Sequence, residues 1–329
     1  MEERSEAAEG ARGLAAAVRG QLARAVVGQE EAVELLLVAL LSRGHVLIED
    51  VPGTGKTRLA ESLARMLDLP FRRVQCTPDL EPSDLTGARI FDQEARRFVF
   101  LPGPLFASVV LVDEINRALP RTQAALLEAM QERRVSEFGE VHELPWPFLV
   151  IATQNPVESV GTFPLPEAEL DRFLLRVRLG YPSPEAEVRI LEAAEVPLET
   201  LRPVAGAAAL RAAMEEAGRV ALHPDVARYL TELVRATRTH PAVELGASPR
   251  ATVALARAAR ARAALAGRAY VLPDDVQALA VPVLAHRLRL LPEAEGGRPA
   301  ASAEGRGEGP AEAVVRELLE RVPVPVEEG

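Results

Sequence analysis

Lysine is almost missing from this chain of 329 residues: of 38 basic residues 37 are Arg, and Lys56 is the one Lys. Asparagine is nearly as scarce, with Asn116 and Asn155 alone. GC-rich codon usage is the simplest source of such a bias, and the shortage of Asn also fits a thermophile, in which thermolabile residues are depleted. Where that pressure has removed nearly every Lys and Asn, the survivors mark positions that Arg, Asp or Ser would not fill as well. Cysteine is reduced to Cys76, so no internal disulfide can form, in keeping with a reducing cytoplasm. Long apolar runs are absent as well. The longest, Leu35 to Leu41, falls far short of the roughly 18 residues that cross a bilayer as a helix, so a membrane span is not expected. The Glu-rich stretch Met1 to Gly10 lacks the basic and apolar regions of a secretory signal, and a cytoplasmic location is the expectation. A formal net charge of −10 argues against a surface built wholesale for nucleic acid and leaves room for a local basic patch.

With 48% hydrophobic and 26% charged residues the composition is that of a globular protein, and the length predicts two domains. Leu14 to Val26 and Glu30 to Leu41 read as helices broken at Val27-Gly28-Gln29. His45 to Glu49, Arg72 to Cys76, Val109 to Val112, Leu149 to Thr153 and Leu174 to Leu179 read as strands that alternate with helices. Phe91 to Phe100 and Val135 to Leu144 read as hairpins. The fold class expected is therefore α/β with a doubly wound parallel sheet. Beyond Tyr181-Pro182-Ser183-Pro184 helical segments follow one another with no convincing strand, which predicts a small all-helical second domain. The expected division is a disordered tail over 1–10, an α/β domain over 11–182, and a helical domain over 183–329 containing a flexible stretch at 293–310.

Between the first strand and a helix lies Pro52-Gly53-Thr54-Gly55-Lys56-Thr57-Arg58, the context that turns a loose glycine pattern into a phosphate-binding loop. Glycines let backbone N–H groups point at a polyphosphate, and the helix N-terminus adds a favourable dipole. The compact ammonium of Lys56 suits a bridge between β- and γ-phosphates better than a planar guanidinium, and the Thr57 hydroxyl suits Mg²⁺. The general pattern asks for Gly where Asp50 stands. Val109 to Glu114 is an apolar strand ending in two carboxylates, which brings Asp113 to the edge of the sheet where the phosphate loop lies, in place to hold magnesium. Glu114 then faces an attacking water as general base. Thr153-Gln154-Asn155-Pro156 follows another apolar strand, and the Asn155 amide can donate to a γ-phosphate while accepting from that water. Asn before Pro also starts turns; the rarity of Asn favours the functional reading. Cys76 reads as a small buried hydrophobe and His286 as a core histidine.

Phosphate loop, Asp-Glu strand, polar strand and helical lid, in that order, resemble an AAA+ P-loop NTPase. Glu49 to Thr57, Thr77 to Gly87, Asp113 to Ala118, Thr122 to Met130, Ala152 to Pro156 and Leu170 to Phe173 resemble the MoxR branch, in which Asp50 is normal. The resemblance runs from about Val26 to Arg287. It implies a ring-forming, usually hexameric, ATPase that binds ATP and Mg²⁺ between neighbouring subunits. Lys56 and Thr57 would be the Walker A pair, Asp113 and Glu114 Walker B, Asn155 sensor 1, Arg172 the arginine finger and Arg250 sensor 2. Val27 and Gln29 fall where such proteins pack the adenine, although a helix boundary explains that segment equally well. The Arg89 to Val99 hairpin resembles the insert that interrupts helix 2 in this lineage. Members are similar to chaperones that mature partner proteins or insert metal cofactors, often with a von Willebrand A domain partner.

Three further functions remain for comparison. A helicase-like DNA motor needs basic hairpin tips, whereas Ser136 to Glu143 carries three carboxylates and no Arg, which argues against nucleic acid. A magnesium-chelatase-like motor shares the lineage. A non-hydrolysing nucleotide switch would not require Glu114. The bland alternative for Arg172 is a surface pair with Asp171 or Glu169.

Overall fold

The computed structural model describes residues 10–49, 53–94, 96–137, 139–155, 161–181, 183–192, 197–295 and 309–325. Helices α1 (Gly10–Ala25) and α2 (Glu30–Leu41) precede β1 (Val46–Glu49), α3 (Lys56–Met66), β2 (Phe71–Gln75) and α4 (Pro82–Thr86). A hairpin of β3 (Gly87–Asp92) and β4 (Arg97–Pro102) leads to β5 (Val109–Asp113) and α5 (Pro120–Glu132). A second hairpin, β6 (Arg134–Glu137) and β7 (Glu140–Glu143), is followed by β8 (Leu149–Gln154), α6 (Glu167–Leu170) and β9 (Leu175–Val177). The remainder is α7 (Pro184–Glu192), α8 (Ala207–Arg219), α9 (Pro224–Ala236), β10 (Val243–Leu245), α10 (Pro249–Leu265), α11 (Pro273–Leu284), β11 (Arg289–Leu290), α12 (Pro292–Glu295) and α13 (Pro310–Arg321).

Five strands form a parallel sheet in the order β2-β5-β8-β1-β9. The apolar run Val109 to Val112 is buried throughout, as is Leu149 to Ala152, because helices cover both faces of a parallel sheet. Alternate side chains of one strand go to opposite faces: Val109 and Leu111 join one core, Val110 and Val112 the other. The first of these cores runs on without a break into the helical half, through Leu210, Leu233, Leu255 and Val283. Helix α1 contributes to the same core and packs on α8 and α10 as well as on α3.

Three differences from the sequence reading concern short or terminal elements. The helical half holds a two-stranded antiparallel ribbon, β10 with β11, pairing Val243 with Leu290 and Leu245 with Arg289. Strands of two and three residues are too short to print an alternating pattern. Gly10 belongs to α1 and not to the tail, and Ala11 N donates to Glu216 Oε2 at 2.8 Å. Residues 1–9 and 296–308, on which the tail and most of the flexible stretch were expected, lie outside the described residues. Of the stretch expected over 293–310, residues up to Glu295 belong to α12 and Pro310 begins α13. Among the described residues no helix is long and apolar enough to cross a membrane.

Ion pairs close the sheet beside β9. Arg176 reaches Glu49 at 3.2 Å and Glu312 of α13 at 2.7 Å, and Arg178 reaches the same two carboxylates at 3.4 and 2.8 Å. In the helical half the fully buried Asp275 accepts from Arg262 at 2.6 Å, from Arg268 at 2.6 and 2.7 Å, and from Leu272 N at 2.9 Å. Burial pushes its pKa up, but the hydrogen bonds from Arg268, Leu272 N and Arg262 outweigh it and hold the carboxyl below its ordinary value. A carboxyl depressed in the folded state contributes stability above its unfolded pKa of about 4, and that contribution is lost as pH falls through the folded value. Asp275→Asn should therefore cost about 3 kcal/mol at neutral pH. Thermal denaturation of both proteins from neutral pH to pH 3 should show the gap narrowing only at the acid end.

Candidate nucleotide-binding and hydrolysis site

The loop after β1 enters α3 through Gly55, whose φ of 84° lies in the left-handed region that favours glycine. Lys56 and Thr57 occupy the first turn, half-buried, where the helix leaves its N–H groups unsatisfied. Gly53 and Gly55 are exposed and Thr54 is buried; Pro52 lies outside the described residues. Gln29 donates through Nε2 to the Thr54 carbonyl, while its Oε1 is shielded and has no hydrogen-bond partner among the described residues. Val27 is half-buried in the turn between α1 and α2. Gly28 in that turn, φ 79°, stands where a Cβ would meet Ala186 of α7 at 3.0 Å. Arg58 donates from Nε to the Ala25 carbonyl at 2.7 Å, so part of its work is to tie α3 to the end of α1. Gln29, Ala32, Leu35, Leu179, Val281 and Pro282 help to line a cleft of about 220 Å³ beside this loop.

Strand β8 lies between β5 and β1, so the ends of all three meet at one edge of the sheet. Asp113 closes β5, 8% exposed. Its Oδ2 accepts from Arg73 Nε at 2.6 Å and its Oδ1 from the Thr153 hydroxyl at 3.3 Å. Glu114 follows with φ 55° and ψ 52°, a conformation that costs an L-residue about 1–2 kcal/mol. Its N–H donates to Thr153 Oγ1 at 2.9 Å, and its Oε2 accepts from Gln75 Nε2 at 2.8 Å and Arg117 Nη1 at 3.0 Å. Thr153 thus holds the Glu114 backbone in this twist, and Gln75 and Arg117 hold its carboxylate. Oxygen donors of Thr57 and Asp113 suit a hard divalent cation, so the residues present fit magnesium. Cys76 donates its N–H to the Asp113 carbonyl at 2.9 Å. Burial, with the charges of Asp113 and Glu114, pushes its thiol up to about 12, so it stays protonated and unreactive.

Asn155 is 6% exposed at the end of β8. The turn after Glu114 is clamped by Gln123 of α5, 2% exposed. Gln123 Nε2 donates to the carbonyls of Ile115 at 3.1 Å, Ala118 at 3.1 Å and Phe163 at 2.9 Å. Phe163 N in turn donates to the Asn116 carbonyl at 2.6 Å.

Arg172 and Arg250 stand apart from these groups: among the described residues no hydrogen bond joins either side chain to the acid pair or the phosphate loop. Arg172, half-exposed before β9, has no ion pair among the described residues. Asp171, the neighbour that a surface pair would use, is engaged elsewhere. Its Oδ1 accepts from Arg287 Nε at 2.7 Å and its Oδ2 from Ser248 Oγ at 3.1 Å. Ser248 caps α10 by accepting from Arg250 N at 3.2 Å, and Arg250 is exposed in the first turn. One carboxylate therefore positions the segments that bear both arginines. Arg287 is 6% exposed and also donates to the carbonyls of Phe173 at 2.6 Å and Leu174 at 3.2 Å, and to that of Val283. His286 lies beside it with Nε2 3.2 Å from the Phe173 carbonyl. Burial, with the charges of Arg287 and Arg176, holds its pKa well below the ordinary value, so it is a neutral core residue.

Arg73, Gln75, Gln123, Asp171 and Arg287 were not singled out by sequence reasoning for these roles. The pairing of β2 with β5, Gln75 opposite Asp113, brings the first two to the acid pair, and no local sequence signal carries it.

Phosphate loop, acid strand, polar strand and lid on a five-stranded parallel sheet define an AAA+ protein of the P-loop class. The family described as ATPase family associated with various cellular activities (AAA) matches residues 45–175, and the AAA lid domain matches residues 235–305. Chaperone MoxR1 of Mycobacterium tuberculosis is 44% identical over 296 residues, covering 85% of this chain and 78% of that one. The YeaC protein of Bacillus subtilis is 47% identical over 306 residues, 92% of each chain. A crystal structure of a protein from Cytophaga hutchinsonii superposes with a TM-score of 0.85 at 36% identity over 96% of each chain. The chain belongs to the MoxR family of AAA+ ATPases.

Among the described residues Thr153 is the one hydroxyl that bonds both Asp113 and Glu114. Thr153→Val keeps the volume and removes both bonds, and phosphate release from ATP should fall about tenfold while ATP affinity changes less than about threefold. Steady-state turnover beside calorimetric titration would test this; equal losses in both would contradict the role.

Proposed function

We propose that the chain is an ATP-hydrolysing, ring-forming remodelling chaperone acting on partner proteins, maturing them or inserting a cofactor or metal, with a von Willebrand A domain protein as partner. The observation that carries the reading is the sheet order, which sets the phosphate loop, Asn155 and the Asp113–Glu114 pair side by side. In this reading Lys56 and the loop N–H groups hold the β- and γ-phosphates, and Thr57 and Asp113 hold Mg²⁺, which supplies charge neutralisation on those phosphates. Glu114 takes the proton as a water oxygen bonds to the γ-phosphorus and the bond to the ADP oxygen breaks, giving ADP and phosphate. Asn155 donates to the γ-phosphate and orients the water. The unpaired Oε1 of Gln29 supports an adenine contact at Val27 and Gln29, because a purine amine supplies the donor it lacks.

Arg172 acts from the neighbouring subunit of a ring, hexameric by the family's habit, and Arg250 acts from the lid. The absence of an ion pair on Arg172 among the described residues supports this, since a guanidinium committed locally could not reach across. A nucleic-acid substrate is disfavoured: Glu140 and Glu143 are exposed on the β6–β7 hairpin and Glu137 is half-buried there, which repels phosphates.

Lys56→Ala should abolish ATP binding, whereas Glu114→Gln should bind ATP and stall. Calorimetry and turnover separate the two, and a Gln variant as fast as wild type would remove Glu114 from the mechanism. Arg172→Ala should keep ATP binding and lose about 10³-fold in rate. Mixed rings of Arg172→Ala and Glu114→Gln should regain activity, because one interface then joins an intact base to an intact Arg. No recovery in verified mixed assemblies counts against the finger. Light scattering with and without ATP should show a rise in mass, and purification from the native host should bring down the von Willebrand A partner.

A further inference from the structure

At the opposite end of the sheet from the phosphate loop, where the parallel strands begin, lies a second cavity, of about 610 Å³. Arg43, just past the end of α2, and Arg133, the C-cap of α5, enter it from the α/β side. Arg257 and Arg260 enter from α10, with Arg219 from α8 beside Trp146. The single carboxylate in its wall, Glu215, pairs with Arg219 at 3.3 Å. Among the described residues Arg43, Arg133, Arg257 and Arg260 have no carboxylate partner.

Their mutual contacts do not satisfy them. Arg133 Nη2 donates to the Arg43 carbonyl at 2.6 Å, and the Arg260 Nε is shielded from solvent with no acceptor at all. The Arg43 guanidinium lies 5.4 Å from the Trp146 ring centre and that of Arg211 lies 4.7 Å from it. Burial, with the charges of Arg43 and Arg257, holds Arg133 below the ordinary guanidinium value. Helix C-termini attract cations, which accounts for Arg43 and Arg133. It does not account for Arg257 and Arg260, which lie inside α10 (Pro249–Leu265). A chain with 48 acidic residues and a net charge of −10 has placed four uncompensated guanidiniums around one hollow.

We propose that this cavity binds a small anion carrying two or more linked phosphates, at a site separate from the nucleotide site. Planar guanidiniums meet phosphate oxygens in bidentate pairs, and the volume falls in the range of small-ligand sites, about 300–1,000 Å³. A phosphate chain there neutralises groups from both halves of the molecule at once, so it draws α10 towards the ends of α2 and α5. The first turn of α10 carries Arg250, and the ligand would thereby bias the lid.

Trp146 is the chain's one tryptophan and lines this cavity, so its fluorescence reports here and not at the phosphate loop. Titration with inorganic tripolyphosphate should give a saturable change in the wild type and in Lys56→Ala, in which the phosphate loop is disabled. Arg257→Ala with Arg260→Ala should move the midpoint at least about tenfold. Tripolyphosphate should raise the melting temperature of Lys56→Ala and leave that of the same chain carrying the double replacement unchanged. Arg257 is exposed, so Arg257→Gln alone provides a second variant whose fold is not at risk, with a smaller shift of the same sign. ATP titrated into Lys56→Ala distinguishes the sources: a midpoint like that of tripolyphosphate marks an inorganic chain as sufficient, a lower one a nucleotide. The proposal fails if no saturable change occurs up to about 10 mM, if the Arg variants titrate like their parent, or if a Glu-rich peptide binds more tightly than tripolyphosphate.

Discussion

A guanidinium buried under the end of the lid, that of Arg287, holds the catalytic half and the helical half in one arrangement. It grips the Asp171 carboxylate and the carbonyls of Phe173 and Leu174, all on the segment that leads into β9. A charge removed from water persists only when paired and surrounded by acceptors, and here each donor direction finds one. Burial lowers the Arg287 pKa and Asp171 restores part of it. The same carboxylate takes the Ser248 hydroxyl that caps α10. The Arg172 turn and the first turn of α10 are therefore not independent; movement of one is felt by the other through a single side chain. The same two halves also share one continuous apolar core.

The acid strand obeys a related economy of charge. Asp113 and Glu114 are adjacent carboxylates at the end of a fully buried strand, a placement that like-charge repulsion and desolvation oppose. Arg73, Arg117 and Gln75 surround them, and the Thr153 hydroxyl bridges the Glu114 N–H and the Asp113 carboxylate. Glu114 is engaged through Oε2 by one guanidinium, that of Arg117, and by the Gln75 amide.

The fold was legible where burial is two-sided or periodic. Val109 to Val112 and Leu149 to Ala152 are apolar on both faces, so strand and depth could be read together, and the loop residues Gly53 to Thr57 carry their own geometry. What escaped was whatever depends on pairing across the chain. Arg73 and Gln75 sit on an edge strand with mostly exposed side chains, and nothing local says that they meet Asp113 and Glu114. Arg287 and Asp275 escaped because charged residues are ordinarily read as surface; only the partners supplied by distant segments make their burial affordable. Asp171 lies in the motif that suggested Arg172, yet its true partner is 116 residues away. The β10–β11 ribbon escaped because five residues in two pieces hold no period.

The ion pairs beside β9 bear on how the protein is kept from polymerising. A sheet that ends in open strands offers unpaired N–H and C=O groups to any passing strand, and edge charges are a common defence. On one border Arg176 and Arg178 are drawn to Glu49 and Glu312, which ties the first turn of α13 to a strand only three residues long. On the other, Arg72 is exposed on β2 and Arg73 is drawn to Asp113. Border strands charged in this way resist pairing with a passing strand, which closes the route by which sheets add edge to edge into fibres.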